Sequence, residues 1–210
     1  MFFVSYNCPL CQCSAKAFYK DEFFLCTQCK GIFRPRHNNP TLTEEKKRYE
    51  RHENDVNDVG YQRFVSPITT AILQRFSSHH NGLDFGAGTG PVVSKLLQEN
   101  RYDIVQYDPF FHNHPDLLQK KYDYIVCCEV IEHFHNPKKE FKLLKNLLKS
   151  NGVLYCMTHL YESSIDFSGW YYQKDPTHVF IYQKKTITWI QQHFHFKAVS
   201  FKDRLIIFNK

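Results

Sequence analysis

"LDFGAGTGP", residues 83 to 91, is the stretch on which the fold turns. Leu83 and Phe85, on either side of Asp84, read as a short strand with apolar ends. Gly86, Gly88 and Gly90 then let the backbone turn sharply and let a ligand come close to it. Pro91 suits the first position of a helix with Gly90 as its N-cap, and the N–H groups of such a helix start face the ligand. A dinucleotide fingerprint wants its third glycine at position 91, so Pro91 disfavours NAD or FAD.

Working outward, strand and helix patterns alternate. A strand at 82–85 is followed by a helix from Pro91, strands at 103–107 and 122–128, a helix at 137–148 and a strand at 152–158. After a helix around 186–194, "KAVSF" and "RLIIFNK" flank a Lys-Asp-Arg turn as an antiparallel pair that closes the sheet. This order predicts an α/β fold with a mostly parallel sheet covered on both faces by helices. Only "FFHNHPDLLQKK" (110–121) separates Asp108 from the next strand, too little for a further strand with its helix, so the sheet is expected to lose that edge.

The chain has 210 residues, is 42% apolar and carries a net charge of +6, with Lys and Arg scattered along it. That fits one medium α/β domain with a small appendage, and permits a polyanionic partner without demanding one. The start, "MFFVSYNCPLC", lacks a basic n-region, and no segment approaches 18 uninterrupted apolar residues, so a cytoplasmic protein with no membrane partner is expected. In a reducing compartment its eight cysteines serve as thiols or metal ligands. "CPLC" and "CTQC" supply Cys8, Cys11, Cys26 and Cys29 as two Cys-x-x-Cys pairs, the pattern of a small structural zinc ribbon. Cys13 is a spare thiol able to compete with Cys11. The expected organisation is a ribbon over 1–40, a connector with N-terminal helices over 41–80, the first of them capped by Thr43, and the sheet domain over 81–210.

Gly-x-Gly-x-Gly preceded by an acid resembles motif I of the class I S-adenosylmethionine (SAM) methyltransferases, and Asp108 resembles the acid ending their second strand. With "EVIEHF" after the fourth strand and "LLKSNGVLYCMT" as helix, turn and fifth strand, the resemblance covers about residues 60–210. It implies a Rossmann-like methyltransferase sheet with an antiparallel last strand and a reduced or absent third strand. It also implies SAM held by Asp84, Gly86, Ala87, Gly88, Thr89, Gly90, Asp108 and Glu129. A carboxylate at Asp108, about 20 residues past the loop, is placed to accept the ribose hydroxyls.

"YDYIVCCEVIEHFHNP" (122–137) puts Glu129, Glu132 and His133 at the carboxyl end of a strand, where open α/β sheets bind ligands. At i, i+3 and i+4 they share one face of a helical turn. "EVIEH" resembles ubiquinone-biosynthesis O-methyltransferases and small-RNA 3′-terminal 2′-O-methyltransferases, which implies a divalent ion, Mg²⁺ or Mn²⁺, on Glu129, Glu132, His133 and the distant His178. Without a metal, His133 or His178 is the proton acceptor. His159 is a further candidate, and His135 reads as a solvated surface group.

"HLYESSIDFSGWYYQKDPTHVF" (159–180) reads as a lid whose Phe167, Trp170, Tyr171 and Tyr172 either stack on a planar acceptor or pack the lid onto the domain. The phrases at 49–64 and 170–190 also resemble small bacterial methyltransferases, some with a Cys-rich start, and from that resemblance His52, Asn54, Tyr61 and Phe64 close over the cofactor or serve packing alone. The reading is a SAM-dependent methyltransferase acting on an oxygen or nitrogen of a small molecule. Its rivals are an RNA methyltransferase whose ribbon grips nucleic acid, and a SAM-binding interaction module without catalysis.

Overall fold

The computed structural model describes residues 6–51 and 55–210. The first Cys-x-x-Cys turn precedes a three-stranded meander, β1 (Ala15–Tyr19), β2 (Phe23–Cys26) and β3 (Ile32–Phe33), and the second joins β2 to β3. Next comes α1 (Leu42–Tyr49), capped by Thr41 and not by Thr43. The Thr41 hydroxyl accepts from Glu44 N–H at 3.3 Å while Glu44 Oε2 accepts from Thr41 N–H at 2.8 Å. This reciprocal capping box needs the acid three residues on, which Thr43 lacks. Of the helix and strand elements that follow, α2 (Val59–Arg75), β4 (Asn81–Phe85), α3 (Val92–Glu99), β5 (Asp103–Tyr107), β6 (Tyr122–Cys128), α4 (Pro137–Leu147) and β7 (Leu148–Met157) match the alternation read from the sequence. Pro91 itself caps α3, one position earlier than the first helical residue.

A six-stranded sheet runs β5-β4-β6-β7 in parallel, and then two antiparallel strands join in the order β10 (Leu205–Asn209), β9 (Ala198–Lys202). β5 forms the edge, so the third strand of the fold is absent among the described residues and a single 3₁₀ turn, Pro115–Gln119, takes its stretch of chain. Successive side chains of β6 face opposite ways. Tyr124 and Val126 pack beneath α2 and α3 with Val65, Ile68 and Leu97, whereas Ile125 and Cys127 pack with Phe141 and Leu144 of α4. Gly82 is required by this packing, because a Cβ there would lie 2.1 Å from the Tyr124 ring. Among the described residues no helix is long and apolar enough to cross a membrane.

The lid is more structured than a loop. It holds α5 (Tyr171–Lys174) and β8 (Phe180–Ile181), and α6 (Lys184–His193) follows. β8 pairs antiparallel with β3, Ile32 opposite Ile181 and Phe33 opposite Phe180, and so completes a four-stranded sheet begun in the cysteine ribbon. Two-residue strands carry no alternation, and for that reason this pairing leaves no mark in the sequence.

Candidate functional site

Parallel pairing sets the carboxyl ends of β4, β5, β6 and β7 side by side, and the first three are each followed by a residue that the sequence singles out. After β4 the glycine loop folds over the end of β5, with Gly86 and Ala87 N–H donating to Tyr107 O at 2.8 and 3.2 Å. Gly86 has φ +83° and Gly88 φ +62°, conformations that favour glycine. A Cβ on Gly86 would strike Val130 at 2.6 Å, whereas one on Gly88 would meet nothing within 4 Å. The backbone is therefore open to a ligand at Gly88, while Thr89 is exposed and Gly90 buried.

After β5, Asp108 Oδ2 accepts from Gly88 N–H at 3.0 Å and Oδ1 accepts from Phe110 and Phe111 N–H at 2.8 and 3.1 Å. An ionised carboxylate has about four acceptor sites, so one remains on Oδ2 for a ligand hydroxyl. Asp84 is different. It is 4% exposed, and its Oδ2 accepts from Ser94 Oγ at 2.7 Å, which ties β4 to α3 under the loop. Burial pushes its carboxyl up to about 6, against the pull of the Ser94 hydrogen bonds.

After β6 the sequence expected one helical face to unite Glu129, Glu132 and His133. Glu129 instead adopts φ +52°, and the turn that follows is a single 3₁₀ turn, Ile131–His133. The i, i+3 rule does not extend back across a left-handed residue. Glu129 Oε2 accepts from Arg204 Nη2 at 2.7 Å, and its Oε1 is buried with no partner among the described residues. Burial and then Glu132 push its carboxyl up to about 8, opposed by Arg204. Arg204, which lies 5.0 Å over the Phe64 ring, was read only as a turn residue.

Glu132, His133 and His178 do converge, with ligand atoms all within 4.8 Å of one another. Glu132 has no exposure, and its two oxygens accept from Tyr172 OH at 2.6 Å and Thr158 Oγ1 at 3.0 Å. His133 Nδ1 donates to Thr177 O at 2.9 Å and His178 Nδ1 to Tyr172 O at 2.7 Å. A carbonyl accepts only, so each neutral ring carries its proton on Nδ1 and its lone pair on Nε2. Burial lowers the His178 pKa, although Glu132 pulls the other way. Tyr49 of α1 meets the His133 ring edge-on at 5.3 Å. Thr158 and Tyr49 carry no motif of their own and are not site residues in the sequence reading, where Tyr172 figures only as a lid aromatic that stacks on an acceptor or packs the lid.

His135 proves to be paired, its Nε2 2.7 Å from Glu45 Oε1 of α1, which is 4% exposed. His159 sits half-buried against Trp170 and Tyr171. Phe167, Trp170 and Tyr172 are buried in packing while Tyr171 is 61% exposed, so packing claims most of the aromatic side chains of the lid. Tyr61 and Phe64 stack on each other at 5.6 Å, and His52 and Asn54 lie outside the described residues. In the ribbon, Cys8, Cys11, Cys26 and Cys29 bring their sulfurs within 4.8 Å of one another, and Cys13 is not part of that group. The Cys29 thiol beside Cys8 lowers the Cys8 pKa to about 6, while burial raises Cys11 to about 12.

The glycine loop, the acid after β5 and the antiparallel end of the sheet define the class I methyltransferase fold. A family model described as a methyltransferase domain matches residues 59–200, and the chain belongs to that family. A ubiquinone biosynthesis O-methyltransferase of Glaesserella parasuis serovar 5 (strain SH0165) is 32% identical over 81 residues, which is 37% of this chain and 34% of that protein. The match thus spans about a third of the relative's length. A SAM-dependent methyltransferase from Archaeoglobus fulgidus superposes with a TM-score of 0.56 at 16% identity, covering 71% of this chain and 94% of that one. The 1,6-didemethyltoxoflavin-N1-methyltransferase of Burkholderia thailandensis, with bound 1,6-didemethyltoxoflavin and S-adenosylhomocysteine, gives 0.56 at 12% identity, covering 88% and 97%. At such identities these two speak for the fold.

The burial of Asp84 has a measurable consequence. From an ordinary value of 3.8 to about 6, its ionisation costs the fold about 3 kcal/mol. The folded carboxyl keeps its proton to a higher pH than the unfolded one, so this contribution to stability is present below about pH 4 and is lost as pH rises through about 6. Asp84→Asn, whose amide oxygen can still accept from Ser94, should therefore gain stability over the parent between those limits and be the more stable at pH 7 by urea unfolding. A constant difference across that range would remove the buried-acid account.

Proposed function

We propose that the protein transfers the methyl group of SAM to an oxygen or nitrogen of a small-molecule acceptor. The observation that carries this reading is the meeting, at one end of one sheet, of an open glycine loop with the Glu132, His133 and His178 cluster. Gly86 to Gly90 and Asp108 would hold the cofactor, with the unpartnered Glu129 Oε1 as a further acceptor. When bound, SAM supplies an electrophilic methyl group for direct displacement. The chain contributes orientation, and His178 or His133 takes the acceptor's proton on Nε2. Glu132, sealed by two hydroxyls, acts by holding Tyr172, and through its carbonyl His178, in position.

A second reading has its own support in the 4.8 Å cluster and in the two Nδ1–H groups bonded to carbonyls, an arrangement usual for metal-bound imidazoles. With Glu129 turned toward Arg204, the donors are two imidazoles and one carboxylate, which suits Mn²⁺ or another first-row ion better than Mg²⁺. In the ribbon, four thiolates fill the shell of one structural zinc. The lid packs against much of the ribbon, which favours a small-molecule acceptor over RNA for this site.

Labelled SAM incubated with fractionated cell extract should deliver label to small metabolites, and label in RNA would replace the acceptor class. Asp108→Ala and Gly88→Val should each weaken SAM binding about tenfold or more by calorimetry, through loss of an acceptor and strain at positive φ respectively. Unchanged affinity in both would sink the cofactor site. His178→Gln should lower kcat about 10²-fold with SAM affinity kept. With the ribbon zinc retained, as checked by metal analysis, turnover that survives chelation assigns the proton-acceptor role, and turnover lost on chelation and restored by Mn²⁺ assigns the metal. Metal analysis should return about one zinc per chain, lost in Cys8→Ser.

A further inference from the structure

The ribbon is too small to keep a core of its own, and its apolar surface is completed by the lid. Phe167 stands at the centre of that contact. Its ring meets Phe18, Tyr19 and Phe23 of the ribbon at 4.9, 5.3 and 5.1 Å, all edge-to-face. Arg34, just after β3, lies 4.4 Å over the Phe23 ring and donates through Nη2 to Gln173 O at 3.0 Å. Phe180 seats its ring over Gly31, where a Cβ would come within 2.2 Å of it. Gln183 Nε2 then donates to Lys30 O at 2.8 Å. The ribbon therefore grips the lid and the chain just after it at two places, residues 167–173 and 179–183.

Between those grips lies His178, the member of the cluster that the lid supplies. Val179 O accepts from Arg34 N–H, and Val179 N–H donates to Glu132 O, both at 3.0 Å, so the residue after His178 bridges the ribbon and the end of β6. His178 Nδ1 is bonded to Tyr172 O and Tyr172 OH to Glu132, which makes the position of the imidazole a function of the position of the lid. The glycine loop and Asp108 make none of these bonds. We infer that the cysteine ribbon is a positioning element of the acceptor site: by carrying β8 and seating Phe167, it fixes Tyr172 and His178 against Glu132 and His133. This rests on the reading of that cluster as the acceptor site. It predicts that loosening the ribbon abolishes methyl transfer and leaves cofactor binding in place.

The test is amide hydrogen exchange on the full chain, with the cysteines metal-loaded, after chelation, and in Phe167→Ala. Residues 161–183 should lose protection about tenfold or more in the last two states, with β4, β5 and β6 unchanged. SAM affinity by calorimetry should stay within about twofold, transfer of label from SAM into extract should fall, and Phe167→Leu should recover part of both lid protection and transfer. Should Phe167→Ala fail to fold, Phe167→Leu and Arg34→Lys carry the same comparison. Unchanged lid protection in the chelated and Phe167 states makes the ribbon an independent appendage and overturns the inference. Loosened protection with full methyl transfer overturns it as well. The exchange measurement needs neither acceptor nor turnover, so failure of the SAM or acceptor reading is recognised separately, as absent SAM binding or absent transfer in the parent protein.

Discussion

A carboxylate with no solvent exposure must have its oxygens satisfied by protein, or its burial costs several kcal/mol. Glu132 meets that demand with the hydroxyls of Thr158, just past β7, and Tyr172, in the lid. Thr158 and Tyr172 are themselves within 2.5 Å of each other, so three chain segments share one closed set of bonds. The rest of the site hangs from that set. Tyr172 carries His178 through its carbonyl, His133 follows Glu132 in the same turn, and the Thr177 carbonyl orients His133 in return. Burial and the neighbouring Glu132 push the Tyr172 phenol far up, which keeps it a hydrogen-bond donor at any physiological pH.

The helix α1 closes over this arrangement by charge. Arg48 donates from both Nε and Nη2 to Asp175 Oδ2, at 3.2 and 2.6 Å, and Thr177 N–H and Oγ1 donate to the other oxygen. Although burial alone would raise the Asp175 carboxyl, these bonds hold it well below its ordinary range. Glu45 and His135 form a second tie between α1 and the end of the 3₁₀ turn. Such pairs are worth little when fully solvated and more when half-buried, as here.

Much of the sheet was legible because its strands obey local rules. β5 and β6 lie where short apolar runs meet polar turns, and the glycine loop announces itself by residue type. The ribbon cysteines were legible because spacing alone carries their chemistry. What escaped depended on contacts across long stretches of sequence. His135 reads as solvated until Glu45, from a helix 90 residues earlier, is brought beside it. Arg204 reads as a turn residue until the β9–β10 hairpin delivers it to Glu129, 75 residues upstream. Glu129 left the expected cluster because one left-handed backbone angle ended the helical spacing on which that expectation stood.

The pairing of β3 with β8 has a consequence in time. Residues 32–33 find their partner at 180–181, about 150 residues later, across the whole parallel sheet. Loop-closure cost grows only logarithmically, so the final stability loses little, about 0.6 kcal/mol for each doubling of the loop. During synthesis the situation is different. The cysteine turns emerge before the lid and can gather their sulfurs early, yet the apolar side of the ribbon stays uncovered until the lid leaves the ribosome. Phe23 and Ile32, fully buried at the end, wait for Phe167 and Ile181 while the parallel strands between them are made. The ribbon is thus made before the sheet and completed after most of it, and the chain closes on itself at the place where the ribbon holds His178.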